Sequence, residues 1–307
     1  MVDKMKQAIC VAAAAALGFC TLCGWSFAAC DGDGFCRLPG ADAPELELDR
    51  LPAGSKLVRG GCVTPDGKYA YLVHMIGRFW LPVTMVERGW CHNSAMSVFD
   101  GKTGKYLNTV LLDDMNLGAA EPWAVIADGE TIAVAHSGSS EISTIDRRKF
   151  EERLEARMGE DLSTDLGFMN GVRTRIPTPK QGPRALRFEN GKPIVTEYLE
   201  DRQGITEGEL VFNDARRCLQ HWQSCATCHP DGFSDGFEWT FPCDGAMGKA
   251  AKSCDLHDSK IERGQLLKDM IADFGADLFV APDREAAPKL VDYLFSLRKS
   301  DPWYKFW

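Results

Sequence analysis

Three stretches of the chain share one pattern, in which a short turn of Asp-Gly or Asn-Gly precedes an apolar run of strand length. They are residues 65–74, 127–136 and 189–198, and their starts are 62 residues apart. A turn of this kind between two apolar runs is a strong signal of a β-hairpin. A further strand-like run that ends in Asp follows twice, at 94–100 and 140–146. The pattern predicts antiparallel units that resemble β-propeller blades.

Two insertions lengthen the period of these units. Residues 75–93 interrupt the first unit, and residues 147–181 interrupt the second with a helical pattern on Phe150, Leu154 and Met158. Propellers usually close with 4–8 blades, whereas about three units are visible here. A small antiparallel sheet with two long loops is therefore the alternative interpretation. An incomplete propeller would leave open the association of several copies of the chain.

Helical patterns replace the strand pattern after residue 200. Thr206 and Glu209 form a capping box that predicts the start of one helix. Apolar positions at helical spacing predict a second helix within 258–275 and a last helix from Pro288 onward. This part of the chain is predicted to be a separate all-α domain of roughly 100 residues.

The amino terminus has the three parts of a secretory signal peptide. Lys4 and Lys6 provide a basic start, residues 8–22 are apolar, and small residues near position 28 supply a cleavage site. The sequence therefore predicts export to the periplasm. A single membrane anchor and lipid attachment at Cys30 are the alternatives.

The composition agrees with an exported globular protein. Of the 307 residues, 45% are hydrophobic and 26% are charged, which excludes a mostly disordered, fibrous or polytopic membrane protein. The formal net charge is -9 and no basic stripe is present, so no nucleic-acid partner is expected. Twelve cysteines are unusual for a cytosolic chain of this size and favour an oxidising compartment.

The strongest chemical signal is the sequence Cys-Ala-Thr-Cys-His at residues 225–229. Cys-x-x-Cys-His is the attachment sequence of c-type haem. The thiols of Cys225 and Cys228 add to the haem vinyl groups, and His229 becomes the proximal ligand of the iron. The other Cys-x-x-Cys, at 20–23, lies in the signal peptide and has no following His. One haem is therefore predicted.

Two other kinds of site use paired cysteines. A zinc site would need a second ligand pair, and Cys243 with Cys254 fits that spacing loosely. A thioredoxin-type redox pair would need a βαβ context, which the sequence around the motif does not show. Both readings are therefore weaker than haem attachment.

Several segments also resemble one family of bacterial exported proteins. In that family a YVTN-type β-propeller is joined to a di-haem-peroxidase-like (MauG-like) cytochrome c domain. The resemblance covers roughly residues 58–300, and its haem block is specific. Upstream blades are missing, however, and the stretch after the haem motif is shortened. The segments that carry the resemblance are 77–82, 87–90, 136–141, 182–184, 208–215, 218–232 and 283–297.

Together these observations predict an α+β multidomain protein. Partial β-propeller-like antiparallel blades precede an all-α cytochrome c domain. The predicted boundaries are 1–28 for the signal peptide, 29–55 for a linker, 56–200 for about three β units and 201–307 for the haem domain.

The distal ligand of the iron stays open at this point. A methionine suits electron transfer because it raises the reduction potential. Met270 is the first candidate, because its predicted helix can face the edge of the haem. Met247 and His257 are its rivals.

Other histidines are weaker candidates for the haem environment. His74 and His136 occupy the same place in successive units, and they could face the haem together with Arg78 and Arg184. The alternative is that they are ordinary residues of the repeat. His221 is expected to pack against the haem edge.

Seven cysteines remain outside the haem motif and the amino-terminal 28 residues, so at least one is unpaired, lipidated or bonded to another chain. Disulfides between Cys243 and Cys254, between Cys62 and Cys91, and between Cys30 and Cys36 are the candidate pairings. The seven are Cys30, Cys36, Cys62, Cys91, Cys218, Cys243 and Cys254.

Electron transfer to a redox partner protein is the function that this set of residues favours. A peroxidase-like haem enzyme is the alternative, although the di-haem enzymes use a second haem as electron donor and this sequence offers one attachment motif. Peroxide chemistry would also need an open position on the iron with an acid–base group beside it. A non-redox role, with the haem as a sensor or structural element, is the third reading.

Overall fold

A computed structural model describes residues 29–30, 35–38, 43–243, 246–252, 255–257, 262–265 and 285–298. Within these ranges most regular structure is antiparallel β-sheet. The strands are β1 (Ala29–Cys30), β2 (Phe35–Arg37), β3 (Glu45–Glu47), β4 (Ser55–Lys56), β5 (Gly61–Val63), β6 (Tyr69–Gly77), β7 (His92–Asp100), β8 (Tyr106–Leu111), β9 (Pro122–Ala127), β10 (Thr131–His136), β11 (Glu141–Asp146), β12 (Arg173–Pro177), β13 (Pro183–Glu189), β14 (Lys192–Tyr198), β15 (Glu238–Cys243) and β16 (Ala246–Lys252).

Within the part of the chain that the structure describes, helices are few and mostly short. The α-helices are α1 (Arg147–Ala156), α2 (Glu207–Phe212), α3 (Cys225–Cys228) and α4 (Ala286–Leu297). The 3-10 helices are Leu48–Arg50, Val83–Arg88, Leu162–Thr164, Leu199–Asp201, Ala215–Arg217, Leu219–His221 and Pro230–Gly232. Among the described residues no helix is long and apolar enough to cross a membrane.

The first two sequence units form two similar antiparallel sheets. In the first, β4 and β5 both pair with β6, and β7 and β8 follow in order. In the second, β9, β10, β11 and β12 pair in chain order. The third unit contributes β13 and β14, which form a two-stranded sheet. All three hairpins therefore occur at the predicted Asp-Gly and Asn-Gly turns.

A continuous apolar core lies between the two larger sheets and α1. The predicted helical pattern of the second insertion forms α1, and its Phe150 and Leu154 are fully buried in this core. Met158 packs against the same core from its edge. Burial of each such side chain contributes about 1.5–3 kcal/mol. Other members of the core are Tyr71, Val73, Val98, Val125, Val134 and Phe168.

The segment predicted as a linker contains regular structure. Strands β1, β2 and β3 form a three-stranded antiparallel sheet. Leu38 and Leu46 are buried against Leu72 and Phe99 of the first large sheet. The predicted signal peptide at 1–28 lies outside the described residues.

The region after residue 200 differs from the all-α prediction. Its described part contains α2, α3, α4 and the hairpin of β15 with β16, so it is not all-α. Alternating Trp239 and Phe241 favour a strand, and Asp-Gly at 244–245 is the same hairpin signal that marks the β units. The last predicted helix is present as α4. The helix predicted within 258–275 lies outside the described residues except for 262–265.

The carboxy-terminal region packs directly on the first β unit. Its Trp222 and Trp239 share an apolar cluster with Val83, Val86 and Cys91 of the first insertion. Pro82 of that insertion also forms a parallel bridge with Thr240 in β15. The first insertion is therefore an interface segment between the first β unit and the carboxy-terminal region.

Candidate functional site

The Cys-x-x-Cys-His motif begins on a single capped helical turn. The Ser224 hydroxyl accepts a hydrogen bond from the backbone N–H of Ala226, and the Thr227 hydroxyl accepts one from the backbone N–H of Ser224. This reciprocal cap satisfies donors that a helix start leaves open. Since residues three apart share a helix face, Cys225 and Cys228 lie on the same side of α3. His229 follows at once, and its backbone N–H donates to the carbonyl of Cys225.

Glu121 fixes this helix from the β units. Its buried carboxylate accepts hydrogen bonds from the hydroxyls of Ser224 and Thr227, the latter at 2.6 Å. Burial raises the pKa of Glu121, although both hydroxyl hydrogen bonds oppose that shift. Glu121 directly precedes β9 and has a φ of 56°, in the left-handed region that favours glycine. A non-glycine residue held there indicates that its side-chain contacts stabilise the conformation.

Sequence analysis did not identify Glu121 as a site residue. The available signal is a Glu-Pro dipeptide at the start of a strand, and it does not reveal a partner that lies about 100 positions away.

Apolar side chains from α2 and α4 pack against one side of α3. Gly208 permits close contact between α2 and α4, because a Cβ there would lie 2.0 Å from the carbonyl oxygen of Lys289. Cys225 packs against the resulting cluster. The buried members of the cluster are Phe212, Ala226, Leu290, Val291 and Leu294.

The electrostatic state of the two thiols argues against a reactive redox pair. Burial raises the pKa of Cys225 to about 12 and that of Cys228 to about 11. Reactive cysteines have lowered pKa values, because the thiolate is the nucleophile. The surroundings of this pair instead keep both thiols protonated at neutral pH.

A polar cluster lies on the other side of Cys228. The His92 Nε2 atom is 3.8 Å from Cys228 Sγ and 3.1 Å from Lys56 Nζ. His92 Nδ1 lies 2.5 Å from the Gln223 side-chain oxygen. Burial and the charge of Lys56 hold the pKa of His92 well below its usual value. The imidazole ring of His92 is therefore expected to be neutral. A neutral ring can donate a hydrogen bond from Nδ1–H to the Gln223 oxygen and accept one at Nε2 from Lys56.

Lys56 also forms a buried ion pair. Its Nζ atom lies 2.7 Å from the Asp235 carboxylate, and both side chains are at most 8% exposed. The indole N–H of Trp239 donates to the same carboxylate at 3.0 Å. Because burial of an unpaired charge is costly, the ion pair and this hydrogen bond stabilise Asp235 in place.

The same cluster contains three residue types that can bind metals. One ligand atom from each of His92, Cys228 and Asp235 lies within 4.8 Å of the others. Lys56 Nζ, however, is in direct contact with both His92 and Asp235. The ammonium group thus already provides the positive charge that a metal ion would bring, and the arrangement does not favour the zinc reading.

His74 and His136 are equivalent buried residues of the two sheets. His74 Nε2 lies 2.8 Å from the Ser97 hydroxyl, and His136 Nε2 lies 2.8 Å from the Ser143 hydroxyl. The other ring nitrogen of each approaches a backbone carbonyl, of Met75 and Ala119 respectively. Both side chains are fully buried in these networks, which agrees with the alternative that they are residues of the repeat.

The structure separates the two arginines that were grouped with these histidines. Arg78 donates to the carbonyl of Ser163 in the second insertion. Arg184 lies over the ring of Trp123 near α3. Neither of these contacts joins an arginine to His74 or His136, and the hypothesis that the four residues face the haem together stays a hypothesis.

The structure describes the side chains of only some of the candidate haem-site residues. Met270 lies outside the described residues, and Met247 is in β16 with its side chain also outside the description. His257 stacks on Phe233, and its two ring nitrogens lie 3.0 and 3.1 Å from the carbonyl oxygens of Leu297 and Asp231. His221 ends a 3-10 helix with a φ of 61°.

The three candidate disulfides are also described to different extents. Cys62 and Cys91 are not joined, because Cys62 packs against the core of the sheets and Cys91 belongs to the interface cluster around Trp222. The register of β1 and β2 pairs Cys30 with Cys36 across the two strands, and the side chains of both residues lie outside the description. The Cys243–Cys254 pairing lies outside the described side chains.

Comparison with known proteins places part of the chain among distant relatives. No protein-family model matches it. Hydrazine synthase subunit beta of Kuenenia stuttgartiensis is 27% identical over 136 residues, which cover 42% of this chain and 35% of that protein. The chain is a distant homologue of that subunit over this stretch. It spans about a third of the length of the relative.

A solved structure of Kuenenia stuttgartiensis hydrazine synthase gives a TM-score of 0.40 at 20% identity, and the match covers 54% of this chain and 55% of the other. These comparisons do not confirm the expected family that fuses a propeller to a cytochrome c domain.

Proposed function

We propose that the protein is an exported c-type cytochrome with one covalently bound haem that acts in electron transfer. The observation that carries this proposal is that Cys225 and Cys228 lie on one capped turn directly before His229, with Cys225 packed against an apolar cluster. The two thiols would hold the haem through thioether bonds, and His229 would be the proximal iron ligand. When bound, the haem supplies an iron that can accept and release one electron.

The surrounding residues have defined roles in this proposal. The attachment turn is held by the hydrogen bonds of Ser224 and Thr227 to Glu121. In this proposal they preserve the geometry of the turn when the haem iron gains or loses an electron. The apolar side chains of α2 and α4 exclude water from one side of the motif. Met270 is the proposed distal ligand, and Met247 and His257 are the alternatives.

The β units provide a surface for a redox partner protein. We regard the five-stranded sheet, the four-stranded sheet and the β13–β14 hairpin as propeller-like blades of an incomplete ring. The name of the distant relative describes a subunit, which supports a role within an assembly. The amino-terminal sequence supports export to the periplasm, with membrane or lipid anchoring as the alternative.

Denaturation in acidified organic solvent tests the attachment. Haem should remain with the polypeptide of the purified protein and should be lost from a Cys225→Ser, Cys228→Ser double variant. Cys62→Ser is the matched control, because this thiol packs in the sheet core away from the motif. Complete extraction of the colour from the wild-type protein would overturn the proposal.

Spectroscopy of Met270→Ala separates electron transfer from peroxidase-like catalysis. If a side chain fills the distal position, the ferric protein should be low-spin and slow with peroxide, because peroxide must first displace that ligand. Met270→Ala should then become high-spin. A high-spin wild type with rapid turnover of an artificial donor would favour the enzyme instead. A low-spin wild type that the substitution leaves unchanged would transfer the ligand role to Met247 or His257.

A further inference from the structure

The two sulfurs of the attachment motif have different surroundings. Cys225 packs against the apolar cluster of α2 and α4. Cys228 instead lies beside the buried ion pair of Lys56 and Asp235, on the side of the first β unit. A group bonded to both sulfurs would therefore have one apolar edge and one edge that faces two charges.

The negative charge of this ion pair is fixed next to Cys228. The backbone N–H of Asp235 donates to the carbonyl of Cys228 at 3.1 Å. One oxygen of the Asp235 carboxylate lies within 4.8 Å of the Cys228 sulfur. Because the side chain of Asp235 is 1% exposed, water screens its charge only weakly.

The positive charge approaches the same sulfur from the first β unit. Lys56 is in β4, where it pairs with Met75 of β6. Its Nζ atom lies 5.1 Å from the centre of the Trp239 ring and 5.7 Å from that of the Phe237 ring. Aromatic faces attract a cation at this distance. The ammonium group is therefore held in a fixed position away from solvent.

His92 connects this ammonium group to the sulfur without adding a charge. Its Nε2 atom lies 3.1 Å from Lys56 Nζ and 3.8 Å from Cys228 Sγ. Burial and the charge of Lys56 hold the pKa of His92 well below its usual value, so the ring is neutral. The charged side chains that face the sulfur from this cluster are therefore Lys56 and Asp235.

The two charges have opposite effects at the Cys228 sulfur. Burial is the largest cause of the raised pKa of this thiol. The charge of Lys56 lowers the pKa, whereas the charge of Asp235 raises it. Glu121 also raises it, to a smaller extent. The field of the ion pair thus extends to the atom that would carry the haem.

We propose that Lys56 and Asp235 set the reduction potential of the haem held on Cys228, and that they act in opposite directions. The inference rests on the proposed function, because the thioether bond at Cys228 brings the edge of the haem to this pair. Ferric iron has one more positive charge than ferrous iron. A nearby ammonium group therefore raises the potential, whereas a nearby carboxylate lowers it.

The test compares the wild type with Lys56→Met, with Asp235→Asn and with the variant that carries both substitutions. Lys102→Met is the control, because Lys102 is an exposed lysine of the first β unit. Spectroelectrochemical titration at one pH and ionic strength measures the reduction potential of each purified protein. The ferric absorption spectrum reports the iron ligands, and urea denaturation shows which variants are folded.

The single variants should shift in opposite directions. Lys56→Met should lower the potential and Asp235→Asn should raise it, each by about tenfold in the equilibrium constant between ferric and ferrous protein. For a one-electron couple this factor is ~59 mV. Lys102→Met should match the wild type. The ferric spectrum should stay unchanged throughout, because the substitutions alter a field and not an iron ligand.

The double variant provides a second comparison, because Lys56→Met leaves the Asp235 carboxylate buried without its positive partner. Its potential should lie between those of the single variants. It should also be lower than that of Asp235→Asn, even if Lys56→Met does not fold.

Unchanged potentials, or shifts of the same sign in both single variants, would overturn this inference and leave the covalent haem in place. A changed ferric spectrum would also overturn it, since the substitutions would then act through the iron ligands. Absence of covalent haem from the wild type would overturn the proposed function and this inference together. The two failures are therefore distinguishable.

Discussion

The two large sheets, one of β4 to β8 and one of β9 to β12, differ from the region around α3 in how their buried polar groups are satisfied. Each sheet contains a buried histidine whose partners all belong to the same unit or to the loop beside it. The α3 region instead depends on Glu121 and His92 from the β units. The sheets are therefore expected to be stable by themselves, whereas the geometry of the motif requires both parts of the chain.

This difference explains why the candidate site is an interface. Lys56 and His92 belong to the first unit, and Asp235 and Cys228 belong to the carboxy-terminal region. Substitutions at this interface should affect the motif and the association of the two regions together. Substitutions within a sheet should affect the stability of the sheet alone.

The largest effect is expected for Lys56→Met. Loss of the ammonium group leaves the buried Asp235 carboxylate without its positive partner, and only the hydrogen bond from Trp239 remains. The free energy of unfolding should therefore fall by about 3–5 kcal/mol. Urea denaturation measures the change, and the exposed Lys102→Met is the control. Asp235→Asn in the same chain should restore part of the loss. Additive effects of the two substitutions would show that the groups are not coupled.

Glu121→Ala should have the next largest effect. The substitution leaves the hydroxyls of Ser224 and Thr227 without their buried acceptor, at a cost of about 1–3 kcal/mol. Limited proteolysis should cut first near α3, while the β units remain intact. Equal cleavage of both regions would contradict the view that Glu121 serves the motif alone.

Glu121→Gln gives the matched test of charge. Since burial raises the pKa of Glu121, its contribution to folding is largest at low pH and declines as the pH rises through the raised value. Glutamine keeps an acceptor but does not titrate. The stability of Glu121→Gln relative to the wild type should therefore increase with pH above the ordinary carboxyl range. A constant difference across pH would show that the carboxyl does not titrate differently in the folded protein.

The buried histidines of the sheets predict acid sensitivity. Burial lowers the pKa of His74 from 6.5 to about 4, and that of His136 well below 6.5. Their contribution is complete above pH 6.5 and declines as the pH falls, by at most about 1.4 kcal/mol for each pH unit per histidine. His74→Gln should flatten the pH dependence of unfolding between pH 6.5 and 4. An unchanged slope would contradict the assignment of this acid sensitivity to His74.

The repeat and its buried histidines could be predicted because their signals are local. Asp-Gly and Asn-Gly turns select hairpins directly, and the spacing of His74 and His136 places them at equivalent positions. The helix α1 was predicted for the same reason, from apolar positions at helical spacing. Local patterns of this kind do not depend on the rest of the fold.

The composite site could be predicted only in part. Cys225, Cys228 and His229 are recognisable from the sequence, whereas Lys56, His92 and Glu121 are not, because each acts across a large sequence separation. The hairpin β15–β16 was missed, although Asp-Gly at 244–245 has the signal that revealed the other hairpins. Helical patterns lie on both sides of this segment, and they favoured an all-α interpretation of the whole region after residue 200.

The smallest effects are expected for the serines that contact the buried histidines, and they test whether the two sheets are equivalent. Ser143→Ala removes the partner of His136 Nε2 and should cost about 1 kcal/mol. Ser97→Ala removes the partner of His74 and also a 2.6 Å contact with the Thr109 hydroxyl, so it should cost somewhat more. Neither substitution removes a titrating group, so both variants should keep the acid sensitivity that His74→Gln loses. If Ser143→Ala instead increased the proteolytic cleavage of the α3 region, the second sheet would stabilise the Cys-x-x-Cys-His motif as directly as Glu121 does.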